Sequence, residues 1–429
     1  MKTLAKRMAG CAALAALAIA TPAFAQLGGL PGVVPTLPTS PLTDRLPLEG
    51  VRDLTGRVVD RALQAPSRLD GLIRRSRGAL EADPQGWPVV TAEILVVDLT
   101  AEARERALAA GYTVVREEPL EALGLTTTVL APPRRMLLPR AVERLQELAP
   151  DADIAFNHVY APAGEMGAAL APSPAVSTLQ ATNARLGLID TGIDVTHPAF
   201  AASGVSQRGF AGTARVGAHG TAVASLMVGR SGGFSGGAPG ADILVADIYG
   251  GDPAGGASTA VAQALDWMAA QRVAVVNISL VGPRNRLVER AVAGAQARGV
   301  TLVAAVGNDG PAAPPLFPAA YDGVIGVTAV SARDQVLPEA ARGGQVDFAA
   351  PGADMAAAGA SGGWTSVRGA SFAAPIVAGL LSRQGVAALT RSATDLGAPG
   401  RDPVYGAGLV GAQSRVAPRQ MGARGRLSR

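Results

Sequence analysis

The side chains able to do covalent or proton-transfer chemistry are few in this chain. Cys11 is the only cysteine and Lys6 the last lysine, so the body of the chain has no thiolate, no disulfide and no amine for a Schiff base or a serine–lysine pair. Three histidines, His158, His197 and His219, occur without an H-E-x-x-H motif, which removes the usual zinc-hydrolase pattern. Hydroxyl, carboxylate, imidazole and amide chemistry remain. Ser371 stands in Gly369-Ala370-Ser371-Phe372-Ala373-Ala374-Pro375, ahead of the apolar run Ile376 to Leu381. Gly369 permits a close backbone approach and Pro375 is tolerated in a first helical turn, so Ser371 is expected at a helix N-terminus. There it is either an N-cap or a nucleophile, and this stretch alone allows both.

The elements that would position a partner for Ser371 follow an α/β rhythm. Leu186 to Ile189, Ile243 to Ile248, Val273 to Ile278, Thr301 to Val306 and Val324 to Val330 are short, continuous apolar runs, as in a parallel sheet buried on both faces. Helical stretches at 219–229, 257–271 and 286–298 alternate with them, which implies a doubly wound sheet with its site at the carboxyl ends of the strands. Polar groups occur at those ends. The first run stops at Asp190; Asp194, further into the loop, reads as a turn former. His219, followed by Gly220, opens a helix and is the sole candidate base at a helix start in this region. Asn308, behind Gly307, either caps a turn with Asp309 and Gly310 or aims its amide at a developing oxyanion.

The order Asp190, His219, Asn308, Ser371 resembles the subtilisin-like serine proteases over roughly residues 180–412. The motifs that carry the resemblance are GLIDTGID (187–194), HGTAVAS (219–225), VAAVGNDG (303–310) and GASFAAP (369–375), with VNISL (276–280) and YGAGLV (405–410) in support. The resemblance implies a secreted serine endopeptidase acting on polypeptides. In it Ser371 is the nucleophile, His219 the base and then acid, Asp190 the group that orients the imidazole, and Asn308 with the Ser371 N–H the oxyanion hole. Ser279, Leu280, Val281, Ala305 and Gly307 then line the substrate cleft. Val281 stands where the family more often has glycine, so the pocket for the residue before the cut bond is expected to be narrow. The short glycine-rich loop Gly229 to Pro239 lacks the calcium loop of many relatives; no cofactor is expected, and calcium has no identifiable site. An alternative reading keeps the fold as a catalytically silent binding module, against which all four catalytic positions are intact.

Ahead of this region, residues 1–25 read as a signal peptide, with Lys2, Lys6 and Arg7, an apolar run and Ala23-Phe24-Ala25, so export to the periplasm or beyond is expected. No transmembrane segment follows from the sequence. Residues 26–85 are a Pro/Gly-rich leader and amphipathic helices, with Leu69, Leu72 and Ile73 at helical spacing to about Ala82. Residues 86–160 have the order β-α-β-β-α-β, a ferredoxin-like α+β unit. By resemblance this unit is a propeptide that helps folding and inhibits the enzyme, which makes the chain a zymogen. Residues 161–178, rich in Ala, Pro, Gly and Ser, read as a linker before the peptidase domain at 179–412. The expected maturation cut is Tyr160–Ala161, although a tyrosine conflicts with a narrow pocket, so a later bond between Ala163 and Thr178 stays open. The tail 413–429 carries Arg415, Arg419, Arg424, Arg426 and Arg429 and reads as a solvated, mobile end. With aromatics at only 4% of the chain, nucleic acid is not the expected partner.

Overall fold

Asp83 closes the first turn of the fold: its Oδ1 accepts from the Gln85 and Trp87 amides at 2.9 and 2.7 Å, joining β1 (Leu80–Ala82) to β2 (Pro88–Val97). The structure, a computed structural model, describes residues 69–166 and 185–423. The signal peptide, most of the leader, the linker from 167 and the last arginines lie outside the described residues. The helix read to about Ala82 ends by 75. Arg77 and Gly78, at φ 54° and 92°, turn the chain out of it into β1.

After β2 come α1 (Ala101–Ala109), β3 (Thr113–Leu120), β4 (Leu125–Ala131), α2 (Leu138–Leu148) and β5 (Asp153–His158). Thr100 caps α1, its hydroxyl accepting from the Ala103 amide at 3.2 Å. The strands run antiparallel in the order β3-β4-β2-β5, with β1 beside the start of β2. This is the ferredoxin-like order read from the sequence. The run Ile94 to Val97 is apolar at every position because both faces of β2 are covered. Ile94 and Val96 face α1 and α2 with Leu130, Val142 and Leu145, whereas Leu95 and Val97 join the core of the larger unit. Polar contacts pin the same face: Asp266 accepts the Leu123 amide at 3.0 Å, and Arg290 reaches Asp153 and Asp98 at 2.9 and 3.2 Å.

Past β5 the chain continues as β6 (Ala161–Pro162) and β7 (Glu165–Met166), then β8 (Arg185–Asp190) and β9 (Val205–Gly209). Helix α3 (Ala218–Val228), the hairpin β10 (Arg230–Ser231) and β11 (Phe234–Ser235), β12 (Asp242–Asp247) and α4 (Ser258–Ala270) follow. Next are β13 (Val275–Ile278), β14 (Leu280–Val281), α5 (Arg286–Ala297), β15 (Thr301–Ala305) and β16 (Ile325–Val330). The unit closes with β17 (Phe348–Pro351), β18 (Ala353–Ala358), β19 (Trp364–Arg368) and α6 (Ala370–Ser392).

Seven strands pair in parallel in the order β17-β16-β15-β13-β8-β12-β9, so strand order reverses direction around β8 and β13. A crevice at the carboxyl ends opens at that reversal. The sequence reading found the five inner strands and missed both edges. β9 is part exposed and carries Ser206, Gln207 and Arg208, while β17 is a buried apolar run of only four residues that ends in Pro351. The C-terminal segment is also not a free end as far as 423. The Ala356 amide donates to Val416 O at 2.7 Å, and Arg415 pairs with Asp334 at 2.7 Å.

Candidate active site

Asp190 ends β8 with its carboxylate fully buried, accepting the Thr191 amide at 2.7 Å. Its oxygens lie 2.8 and 2.9 Å from Nδ1 of His219, the second residue of α3. The helix can descend this far because residue 220 is glycine: a Cβ there would collide with the Thr191 carbonyl, and the Gly220 amide instead donates to Thr191 Oγ1 at 2.9 Å. With the carboxylate on Nδ1, that nitrogen carries the proton and Nε2 is the acceptor. Nε2 is buried and has no hydrogen-bond partner among the described residues.

Ser371 is the second residue of α6 and is fully buried. The cap position belongs to Gly369, at φ 132°, so Ser371 is not the N-cap that the sequence alone allowed. Pro375 also falls in the second turn and not the first. The helical N–H it lacks would have bonded to Ser371 O, and that freed carbonyl accepts from Ser279 Oγ at 2.8 Å. Ser371 Oγ donates in turn to Ser279 O at 2.9 Å and is not bonded to His219. Of the predicted triad, then, the Asp190–His219 pair is formed, and the serine hydroxyl is turned to the Ser279 carbonyl between β13 and β14.

Asn308 follows β15 in a turn where Gly307 takes φ 100°. Its Oδ1 accepts the Ala370 amide at 3.0 Å, which fixes the side chain so that Nδ2 faces the crevice. Nδ2 and the Ser371 amide, the latter at 3.1 Å, both donate to one oxygen, the carbonyl of Ala163. Two donors converging on one carbonyl beside a serine hydroxyl and an imidazole can polarise that carbonyl for acyl transfer.

The segment presenting Ala163 is threaded as a strand. Ala161 and Pro162 pair antiparallel with Val281 and Leu280, the Ala163 amide donates to Ser279 O at 3.3 Å, and Glu165 and Met166 pair with Arg368 and Val367. Residues 161–166 are therefore cleft-bound strand, correcting the linker reading. The bond at the donors is Ala163–Gly164, at the start of the range left open for a later cut, and not Tyr160–Ala161. Tyrosine 160 is three residues upstream, where its side chain enters a separate pocket. Ser279, Leu280 and Val281, the residues read as cleft-lining, pair with this segment of the chain. Ala305 is buried at the end of β15. At Gly307 a Cβ would lie 2.8 Å from Leu316 Cδ1 and 3.6 Å from Val281 Cγ1, so Val281 and Leu316 crowd the space beside Asn308.

The other two histidines are structural. His197 Nδ1 accepts from the Ala199 amide and its Nε2 lies 3.0 Å from Gly363 O; burial holds its pKa below the ordinary value. His158 sits between Asp83 at 3.1 Å and Asn285 at 3.0 Å, where the small unit meets α5. Asp194 accepts from the Thr196 amide and hydroxyl, the turn role read for it. Among the described residues no group of three or more His, Asp or Glu is placed to hold a metal. Tyr249, Gly256, Gly282 and Pro283, which touch Tyr160 just ahead of that strand, escaped the sequence reading. Tyr249 lies just past the end of β12, so the strand-end rule that found Asp190 could have found it too.

The family model described as the subtilase family matches residues 181–408, more than half of the chain. Minor extracellular protease Epr of Bacillus subtilis (strain 168) is 31% identical over 247 residues, a match spanning 54% of this chain and 38% of Epr. Thermitase of Thermoactinomyces vulgaris is 32% identical over 252 residues, spanning 55% of this chain and 88% of thermitase. Fervidolysin from Fervidobacterium pennivorans, a keratinolytic enzyme related to subtilisin, superposes with a TM-score of 0.62 at 21% identity over 76% of this chain and 61% of that one, a likeness of fold.

Proposed function

The chain belongs to the subtilase family of serine endopeptidases, and on that premise we propose that it works through Ser371, His219, Asp190 and Asn308, is exported, and is made as a zymogen that cuts itself at Ala163–Gly164. The observation that carries this reading is the Ala163 carbonyl held by Asn308 Nδ2 and the Ser371 amide on an antiparallel bound strand.

The chemistry follows from the positions. Ser371 Oγ leaves Ser279 O, turns to the free Nε2 of His219, gives up its proton there and bonds to the Ala163 carbonyl carbon. The negative charge that gathers on the carbonyl oxygen meets donors already in place, so no reorganisation is needed as the charge forms. Asp190 holds the imidazolium through Nδ1. The imidazolium then protonates the Gly164 nitrogen as the C–N bond breaks, leaving an Ala163–Ser371 ester and a new N-terminus. Water, deprotonated by His219, hydrolyses the ester and restores the serine. In this reading residues up to Ala163 are a propeptide whose last residues occupy the cleft as substrate and then as product. A parallel sheet is built from non-local contacts and folds slowly, which gives a docked template domain a physical task.

The silent-module reading draws on one observation, the Ser371 hydroxyl bonded to Ser279 O instead of His219. A serine-directed phosphonate separates the two. Wild type should be labelled and begin at Gly164 by N-terminal sequencing. Ser371→Ala should be unlabelled and keep its small domain, and His219→Ala and Asp190→Ala should process no faster. Wild type that is neither labelled nor cut supports the silent module, and a Ser371→Ala chain that still processes itself refutes the assignment.

A further inference from the structure

Glu339 is a buried carboxylate, 5% exposed, with no part in the proton transfers at Ser371 and His219. Arg368 grips it as a fork: Nε lies 2.7 Å from Oε1, and Nη2 donates to Oε2 at 2.9 Å. Each partner belongs to one half of the oxyanion hole. The Glu339 carbonyl accepts the Gly310 amide at 2.9 Å and the Ala341 amide donates to Gly307 O at 3.1 Å, so this segment brackets the turn carrying Asn308 on both sides. The segment itself is anchored, since the Leu337 amide donates to Ala329 O in β16 at 2.9 Å and Leu337, Ala340 and Ala341 are buried. Arg368 ends β19, and only Gly369 and Ala370 separate it from Ser371. That stretch has little slack. The Gly369 amide donates to Gly352 O at 2.8 Å, and a Cβ at Gly369 would come within 2.9 Å of Asn308 Nδ2. Desolvating two charges offsets most of their attraction, so a buried pair adds little net stability; what a bidentate fork adds is fixed geometry.

We propose that Glu339 and Arg368 are positioning residues that clamp the oxyanion hole: their ion pair sets the spacing between the Asn308 amide, on the turn after β15, and the Ser371 amide, at the start of α6. The inference rests on the endopeptidase reading above. The two donors come from segments far apart in the chain, yet both must meet one oxygen at hydrogen-bond distance as charge gathers on it. Their direct link is the bond from the Ala370 amide to Asn308 Oδ1 at 3.0 Å, which orients the side-chain amide. It does not hold the turn behind that side chain. The clamp does, by tying Gly307 and Gly310 to β19 through Glu339. A displacement of about 1 Å in such a constellation costs on the order of 10²-fold in rate. Because the misalignment is felt where the oxyanion forms, its cost falls on kcat and not on KM.

The test is a double-mutant cycle on purified protein, with kcat on a peptide anilide normalised to the fraction that a serine-directed phosphonate labels at completion. Glu339→Gln keeps the volume but turns an amide N–H₂ toward one guanidinium N–H, which breaks the fork. It should lower kcat about tenfold and leave KM within about threefold. In the Asn308→Ala background the same substitution should change kcat by less than about threefold, since a residue acting through the Asn308 donor has nothing left to position. Arg368→Lys keeps the charge and loses the fork; it should repeat both results, and it decides the matter where Glu339→Gln yields no labelled protein. An unchanged kcat in both variants, or falls of equal size with and without Asn308, overturns the clamp and leaves the endopeptidase standing. Failure of both variants to give labelled protein makes the pair a requirement for folding and also overturns the clamp. Wild type that neither hydrolyses the anilide nor takes the label overturns the endopeptidase reading itself.

Discussion

Gly164 is the residue just past the proposed cut, and replacing it by alanine tests whether that bond is the one the protein uses. A Cβ at Gly164 would lie 2.5 Å from Phe372 Cε2 and 3.1 and 3.2 Å from Cζ and Cδ2. Phe372 is fully buried and its ring centre is 5.4 Å from that of His219, so the ring cannot yield without pressing on the imidazole or a packed neighbour. Forcing one methyl into a filled site costs about 1–3 kcal/mol, which corresponds to a loss of up to roughly 5- to 150-fold in correctly seated chains. Gly164 is not among the glycines at positive φ, so the backbone accepts alanine and the effect comes from the methyl. Loss of the intact chain is followed by gel densitometry after refolding, and the new N-terminus is read by sequencing. A parallel pair in the Ser371→Ala background, compared by circular dichroism, separates slow cutting from failure to fold. The variant should process more slowly or be cut elsewhere. Processing at the wild-type rate and ahead of residue 164 would refute the seating of Ala163–Gly164.

Two further outcomes are expected. Asn308→Ala should lower kcat by about 10²–10³ with a small change in KM, a magnitude taken by analogy from loss of the corresponding side-chain donor in subtilisin; an unchanged kcat on a peptide anilide would remove Asn308 from the oxyanion role. His197, held below its ordinary pKa by burial, takes up its proton at a lower pH in the folded chain than in the unfolded chain, which protonates as pH falls below about 6.5. Stability present above that pH is therefore lost on acidification. In the Ser371→Ala background the urea midpoint should fall between pH 7.5 and 5.5, and His197→Asn should flatten that fall; equal slopes would contradict the linkage.

Chemistry-bearing residues were legible wherever a local rule carried the information. Asp190 ends an apolar run, His219 opens a helix ahead of Gly220, and Asn308 follows the glycine that turns the chain out of β15. Each placement depends on a few neighbouring side chains and the preference of buried strands for unbroken apolar sequence. The small unit was legible for the same reason, since its helices and strands follow their own periodicities. The edge strands β9 and β17 were not, because an exposed strand and a four-residue strand carry too little apolar pattern.

What only the tertiary structure decided concerns pairing between distant segments. Which peptide bond lies at Asn308 and Ser371 depends on the register of Ala161–Pro162 against Leu280–Val281, and a slip of one residue would present a different carbonyl. No local property of the Ala- and Pro-rich stretch encodes that register. Tyr160 sets it from outside, by filling a pocket whose walls, Gly256, Gly282, Pro283 and Tyr321, come from two loops and the segment before β16. Pro375 likewise reads as a first-turn proline until α6 is seen to begin at Ala370, and the carbonyl it frees becomes the acceptor for Ser279. Chemical identity resides in short motifs; the choice of bond resides in contacts between residues more than a hundred positions apart, where shape and unpaired donors decide the fit.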